Sequence, residues 1–93
     1  MIQNLNALST FVCVSRHLSF TKAARELNLT QGAVSIQIKQ LEQELGFQLF
    51  RRETRKILLT PEGRELLEVV EPALLRIQAK IDALHAQDED ETL

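Results

Sequence analysis

Apolar side chains recur at helical spacing three times within the first 45 residues, which predicts three helices. The first stripe is Leu5, Leu8, Val12 and Ser15, with Phe11 beside it. The second is Phe20, Ala23, Ala24 and Leu27, and the third is Val34, Ile38, Leu41 and Leu45. Ser19 and Thr30 precede the second and third stripes, and their hydroxyls suit N-caps because they accept hydrogen bonds from free backbone amides. Asn28 is suited to end the second helix in a left-handed conformation. Since only a short polar turn follows, the second and third helices must cross steeply, as in a helix-turn-helix.

The third helix is predicted to span residues 31–45, because Gly46 is a suitable residue to end it. Its apolar stripe faces the core, and the opposite side carries Gly32, Ser35, Ile36, Lys39 and Gln43, with Gln31 at the first turn. The part of this side before Glu42, from Gln31 to Lys39, is here called the outer face. A solvated helix face is normally rich in Glu and Lys, but this one has no acid before Glu42. Small and amide side chains of this kind suit a surface that reads base edges in the major groove of DNA.

Two short apolar runs then flank a charged tip, which predicts a two-stranded hairpin, here called the wing. Four of the six residues at 51–56 are basic, namely Arg51, Arg52, Arg55 and Lys56. The tip contains no glycine, so the type of turn stays open. Thr60, Pro61 and Glu62 then form a strong helix start, with an N-cap, a proline in the first turn and an acid beside it.

The helix that begins at Pro61 is predicted to reach Gln87, a length of roughly 40 Å at ~1.5 Å per residue. Its apolar residues alternate at spacings of three and four, which gives a heptad-like seam of Leu67, Val70, Leu74, Ile77, Ile81 and Leu84. A chain of this size is only about 30 Å across, so part of the helix must project and pair with a second chain. Pro72 removes the hydrogen bond to the Glu68 carbonyl and is expected to kink the helix. Residues 88–93 are predicted to form a disordered acidic tail.

Charge is unevenly distributed along the 93 residues. Residues 1–60 carry eight Lys and Arg against four Glu, a net charge of +4, whereas residues 61–93 carry three against nine acids, a net charge of −6. The basic first part indicates a polyanionic partner, which the acidic second part would repel. No apolar run exceeds four residues, which excludes a membrane span, and the chain starts without a secretory pattern. A single cysteine fits the reducing cytoplasm.

Cys13 and His17 lie four residues apart on one helical face, so a metal site or a nucleophile is an alternative to weigh. Two ligands do not make a zinc site, and the other histidine, His85, is far along the chain. No acid is expected nearby to orient the pair. The sequence also has no glycine-rich phosphate loop and no carboxylate pair in an apolar pocket. It therefore predicts no enzyme, metal or cofactor.

A longer pattern carries a resemblance to a known family. It consists of LSFTKAAREL at residues 18–27, LTQGAVS at 29–35, QIKQLE at 37–42, LG at 45–46, LF at 49–50 and LTPEG at 59–63. This pattern resembles the winged helix-turn-helix of LysR-type transcriptional regulators, over about residues 4–87. Gly32 together with residues 16–20 is similar to the branch that contains glycine-cleavage and β-lactamase activators. The implied fold is mainly α, with a winged helix-turn-helix of three helices and a two-stranded wing over residues 1–60 and a linker and dimerisation helix over 61–87.

The resemblance implies sequence-specific DNA binding by a dimer on an inverted-repeat operator, with helix 31–45 in the major groove. By position, Gln31, Gly32, Ser35, Ile36 and Lys39 would face bases or adjacent phosphates, whereas Thr21, Lys22, Thr30, Arg52 and Arg55 would contact the backbone or the minor groove. Many relatives have Arg or His in place of Ile36, so their base contact does not carry over. The last helix would dimerise through Leu74, Ile77, Ile81 and Leu84. A C-terminal effector-binding domain, outside these 93 residues, would bind a small molecule, and a full-length protein would form a tetramer.

The alternative function is a helix-turn-helix used for protein–protein docking, with the apolar seam as the interface. The basic wing discriminates between the two functions, because a docking module has no need of four cations at one tip.

Overall fold

The computed structural model describes residues 6–91, with side chains described as far as Gln87. Its elements, in chain order, are α1 (Asn6–His17), α2 (Phe20–Leu27), α3 (Gln31–Leu45), β1 (Phe50–Glu53), β2 (Lys56–Leu59) and α4 (Pro61–Glu91). The predicted fold is confirmed: three helices and a two-stranded wing precede one long helix.

Capping geometry confirms the predicted boundaries of the helix-turn-helix. The side chains of Ser19 and Thr30 each accept a hydrogen bond from the amide three residues later, at 3.1 and 3.0 Å. Asn28 ends α2 at φ 57°, and Gly46 ends α3 at φ 84°, so both adopt the left-handed conformation. These caps are local, so each helix boundary is set by residues within a few positions of it.

α1 is the central helix of the domain, since it packs against α2, α3 and α4. The sequence predicts one apolar stripe on α1, whereas the structure buries most of the residues between Ala7 and Ser15 because neighbours cover several sides. Phe11 is fully buried, and its ring meets that of Phe50 edge-on at a centroid distance of 5.7 Å. The predicted core face of α3 is buried at Val34, Ile38 and Leu41. One core therefore joins the helices to the wing.

The wing is an antiparallel hairpin in which Phe50 lies opposite Leu59 and Glu53 lies opposite Lys56. Two residues connect the strands, and Arg55 is one of them. In the absence of glycine, Arg55 itself takes the left-handed conformation that the turn requires, at φ 69°. The turn geometry that the sequence left open is therefore built by a basic side chain.

Two side chains attach the base of the wing to the helices. The Glu42 carboxylate accepts hydrogen bonds from the amides of Leu49 and Phe50, at 2.7 and 3.2 Å. The Thr60 hydroxyl donates to the Gln48 carbonyl at 2.6 Å, and it also caps α4 by accepting from the amide three residues later at 2.9 Å. The wing is therefore fixed to the end of α3 and to the start of α4.

α4 is one helix of 31 residues that begins at Pro61, as predicted, and is continuous through Pro72. It runs to Glu91 rather than to Gln87, so residues 88–91 are helical where the sequence predicts a disordered tail. No glycine or proline follows Pro72 to end the helix. Residues 92 and 93 of the predicted tail lie outside the described residues.

The first turns of α4 pack on α1 and β2, and Val70 is buried there. Farther along, Ile77, Ile81 and Leu84 are 56%, 40% and 50% exposed. The domain measures 56 × 26 × 20 Å, so the second half of α4 projects, as its length predicts. Within residues 6–91 no helix combines the length and the apolar character that crossing a bilayer would require.

Candidate nucleic-acid interface

The outer face of α3 is open to solvent, because its opposite side is in the core. Four of its five residues are exposed, namely Gln31, Gly32, Ile36 and Lys39. Ser35 is half-buried because the wing reaches it. The first acid of α3 is Glu42, whose carboxylate is directed to the wing amides, so the outer face carries no negative charge before that residue.

Arg52 joins the wing to the outer face of α3. Side chains alternate along a strand, so Arg52 lies on the same side of β1 as buried Phe50 and points towards α3. Its Nη2 donates a hydrogen bond to Ser35 Oγ at 2.8 Å, and its guanidinium carbon lies 4.6 Å from the centre of the Phe20 ring. Arg51 lies on the other side of β1 and is exposed. The Arg52 guanidinium is therefore oriented before any ligand binds.

An open cleft of about 300 Å³ lies between the wing and the N-terminal ends of α2 and α3. Its lining includes Ser19, Gln31, Arg52, Arg55 and Lys56. The N-terminus of a helix carries unpaired amides and partial positive charge, so both helices favour an anion there. Together with the wing cations, the cleft has the electrostatics of a phosphate-binding surface. The acid of its lining, Glu53, lies 3.9 Å from Lys56.

The remaining predicted contacts are spread around this cleft rather than gathered inside it. Thr21 and Lys22 are exposed on the first turn of α2, and Thr30 is exposed while its side chain caps α3. Lys39 lies farther along α3, where it lines a second depression with Gln48 and Arg52. The predicted set therefore covers one broad surface with two recesses.

The set of site residues predicted from the sequence omits two side chains that the structure brings to this surface. Lys56 lines the first cleft, and Gln48 lines the second depression. Lys56 belongs to the basic tip in the sequence, but the face of the hairpin on which its side chain lies depends on the strand register. Gln48 is a polar residue between Phe47 and Leu49, which is a weak signal for an exposed site.

The predicted dimer residues continue along α4 from buried Val70, on the same side of the helix. Leu74 is half-buried, whereas Ile77, Ile81 and Leu84 are exposed. The structure adds Val69 and Leu75, which are 68% and 64% exposed and lie outside the predicted seam. Leu75 and Leu74 line a depression between α1 and α4 that also includes Val12. The apolar surface is therefore wider than the seam and extends towards α1.

Cys13, His17 and Glu26 form a cluster where α2 crosses α1. The Cys13 thiol donates to Glu26 Oε2 at 3.1 Å, and His17 Nε2 lies 3.0 Å from Glu26 Oε1. The expectation that no acid lies near the Cys13–His17 pair is therefore wrong. Glu26 is distant in sequence and reaches the pair through the packing of the two helices, which no local pattern reveals.

Within residues 6–91, these three side chains also offer three metal-ligand atoms within 4.8 Å of one another. Burial, followed by the hydrogen bond to the Glu26 carboxylate, raises the pKa of Cys13 to about 11. A thiol must lose its proton to bind a metal, so the raised pKa of Cys13 disfavours a metal ion here. The Arg16 guanidinium, 3.7 Å from Glu26, adds a positive charge that also disfavours a metal cation. The Cys13 hydrogen bond and then that of His17 lower the pKa of Glu26, which keeps this exposed carboxyl ionised. We interpret the cluster as a hydrogen-bonded link between α1 and α2.

Comparison of the sequence with known proteins gives a family match and curated relatives. Residues 5–64 match the family described as bacterial regulatory helix-turn-helix protein, lysR family. The HTH-type transcriptional activator AmpR of Citrobacter freundii is 44% identical over 89 residues, which cover 96% of this chain and 31% of AmpR. The glycine cleavage system transcriptional activator of Escherichia coli K12 is 49% identical over 83 residues, which cover 82% of this chain and 27% of that protein. The chain therefore spans less than a third of the length of these relatives.

Solved structures give the same fold. The DNA-binding domain of BenM, in a complex with catB site 1 DNA, superposes with a TM-score of 0.81 at 38% identity, over 86% of this chain and 90% of that chain. The DNA-binding domain of CbnR, also in complex with DNA, superposes with a TM-score of 0.80 at 28% identity, over 90% of this chain and 97% of that chain. Both similar structures hold the kind of polyanion that the basic surface described above suits.

Proposed function

Because the chain belongs to the LysR family of bacterial regulatory helix-turn-helix proteins, we propose that it binds double-stranded DNA sequence-specifically, with α3 in the major groove. The observation that carries the proposal is the hydrogen bond from Arg52 to Ser35, which joins the outer face of α3 and the basic wing into one exposed surface. The DNA complexes of the similar BenM and CbnR domains support the same function. This function requires no catalytic step, and a bacterial regulator performs it in the cytoplasm, where the DNA is.

The two parts of the surface have different tasks in this proposal. The major groove is about 12 Å wide and admits a helix such as α3, whose outer face meets base edges and adjacent phosphates. Backbone or minor-groove contacts come from Thr21, Lys22, Thr30, Arg52 and Arg55. Phosphate contacts fix the register of the protein on the duplex, and contacts of the outer face to the bases supply the sequence preference.

We propose further that two copies form a two-fold dimer through Leu74, Ile77, Ile81 and Leu84. Ile77, Ile81 and Leu84 leave about half of their apolar area in water, so burying the remainder of each would contribute about 1 kcal/mol, roughly half the value for a fully exposed side chain. Two-fold symmetry presents two copies of α3 to the duplex, which calls for an inverted-repeat operator. Assembly to a tetramer is proposed for a full-length regulator of this family, and control by a small-molecule effector for one that carries a C-terminal effector-binding domain.

Selection of bound duplexes from a random pool tests the function. We expect an enriched inverted repeat, since each protomer reads one half-site in opposite orientation. Arg52→Ala is expected to weaken binding to the selected duplex at least tenfold (roughly 1.4 kcal/mol or more), because a charge-assisted contact and its orientation are both lost. Arg51→Ala is the matched control, since it removes the same charge from the opposite side of β1. A pool that stays random would contradict DNA reading and favour the docking alternative.

Sedimentation tests the dimer. Ile81→Glu places a charge in the proposed contact and is expected to give monomers, with weaker operator binding because the second half-site is no longer tethered. Ala79→Glu adds the same charge two residues away, on the opposite side of α4, and is expected to remain dimeric. A wild-type chain that sediments as a monomer at high micromolar concentration would contradict the dimer.

A further inference from the structure

Ile36 lies in the middle of the outer face of α3 and is 58% exposed. Its position on the helix is opposite that of Ile38, which is buried in the core. A single exposed isoleucine is common on protein surfaces and carries no meaning by itself. The neighbours of Ile36 on the same face therefore decide what it does.

Gly32 is the neighbour one turn earlier, four residues before Ile36 and on the same face. A Cβ added to Gly32 would meet no atom within 4 Å, so the space above this turn is open. Side chains of a helix lean towards its N-terminus, so the Ile36 side chain leans over the turn that contains Gly32. The open space above Gly32, beside Ile36, is here called the notch, and a side chain at position 32 would occupy it.

The chemistry of the surrounding residues differs from that of the notch. Ser35 accepts the hydrogen bond from Arg52, and Lys39 supplies a cation on the next turn. These polar groups suit phosphates and polar base edges, whereas Ile36 has no donor or acceptor to offer a base. In the major groove, the C5-methyl group of thymine is the apolar feature that such a side chain can contact.

Resting on the proposed DNA binding, we propose that Ile36 is a specificity-determining residue that packs against a thymine methyl group in each half-site, with Gly32 leaving room for it. The operator then contains a T·A pair at one fixed position of each half-site. Contact of one buried methyl group contributes about fourfold in affinity (~0.8 kcal/mol).

The test replaces each thymine of the selected duplex by uracil, one position at a time. Uracil lacks the methyl group but keeps every hydrogen-bonding group of the base pair. The wild type is expected to lose about fourfold in affinity at one thymine of each half-site. Ile36→Ala is expected to lose almost nothing there, while its penalties at other thymines match those of the wild type. Gln43→Ala is the control, because it truncates an exposed side chain two turns away on the same face and is expected to keep the wild-type uracil profile.

Two further variants test the notch itself. Gly32→Leu fills an open space and is expected to fold, as circular dichroism would verify, but to lose the uracil penalty. Ile36→Arg is expected to move the preference at the same position towards guanine, whose O6 and N7 accept hydrogen bonds from a guanidinium.

The outcomes separate this inference from the function on which it rests. Equal uracil penalties for the wild type and Ile36→Ala at every thymine, or no penalty anywhere, would overturn the role of Ile36 and leave DNA binding intact. Failure of the wild type to prefer the selected duplex over shuffled DNA would overturn the proposed function itself.

Discussion

Glu42 connects α3 to the wing, and removal of its carboxylate is expected to destabilise the domain. Its Oε2 accepts hydrogen bonds from the amides of Leu49 and Phe50, at 2.7 and 3.2 Å. Leu49 is fully buried and Phe50 is 4% exposed, so water cannot easily replace the lost acceptor. Glu42→Ala would leave both amides at the base of the wing without their acceptor.

The size of the effect follows from these two bonds. A hydrogen bond to a charged group contributes about 1.5–3 kcal/mol, and the longer of the two is expected to contribute less. We therefore expect Glu42→Ala to lower the free energy of unfolding by about 2–4 kcal/mol. Glu42→Gln keeps an acceptor oxygen but loses the charge, so a loss of about 1 kcal/mol is expected. These are large fractions of the ~5–15 kcal/mol that stabilises a typical domain.

Urea unfolding followed by circular dichroism measures these losses. Glu44→Ala is the matched control, because it removes an exposed carboxylate from the same helix two residues later. The control is expected to stay within about 0.5 kcal/mol of the wild type. The reasoning would be refuted if Glu42→Ala unfolded at the same urea concentration as Glu44→Ala.

Three other changes have defined outcomes. Arg55→Ala is expected to weaken binding to operator and random duplexes alike and to reduce the salt slope of log affinity by roughly one unit; an unchanged slope would contradict a phosphate contact. Gly63→Ala is expected to cost about 1–3 kcal/mol in urea unfolding, because its Cβ would overlap the Leu49 carbonyl; wild-type stability would contradict that close approach. Because the pKa of Cys13 is raised from 9.0 to about 11, the free energy of unfolding is expected to fall as the pH rises through that range. Alkylation of the Cys13 thiol at pH 8 is expected to be about a hundredfold slower in the folded protein than in urea, because less thiolate is present. Equal alkylation rates in the two states would contradict the burial of Cys13.

The fold could be predicted from the sequence wherever the determining signal is local. Ser19, Thr30 and Gly46 cap their helices through groups within a few residues, so their types and positions were sufficient to place the boundaries. The end of α4 was predicted wrongly, because the acidic composition of residues 88–93 indicates disorder. No residue after Pro72 ends the helix, and it continues to Glu91. The turn of the wing could not be predicted either, because an arginine gives no sequence signal for the left-handed conformation that Arg55 adopts.

The candidate site was predictable as a set of surface positions but not as a set of contacts. The face of α3 follows from helical spacing, whereas the hydrogen bond from Arg52 to Ser35 depends on the register of the hairpin and its angle to α3. The contact of Glu26 with Cys13 likewise depends on how α2 crosses α1. Such contacts are set by tertiary packing, for which a single sequence carries no local signal. The DNA contacts of the predicted residues stay predictions.

The central claim is that α3 and the wing form one surface that binds a specific DNA sequence. Equilibrium titration of the chain with the selected duplex and a shuffled duplex of equal length, at several salt concentrations, tests it most directly. Log affinity is expected to fall linearly with log salt concentration for both duplexes, because both share the phosphate contacts of the wing. The selected duplex is expected to bind at least about a thousandfold more tightly at physiological salt. Equal affinity for the two duplexes, or affinity that does not respond to salt, would contradict the claim.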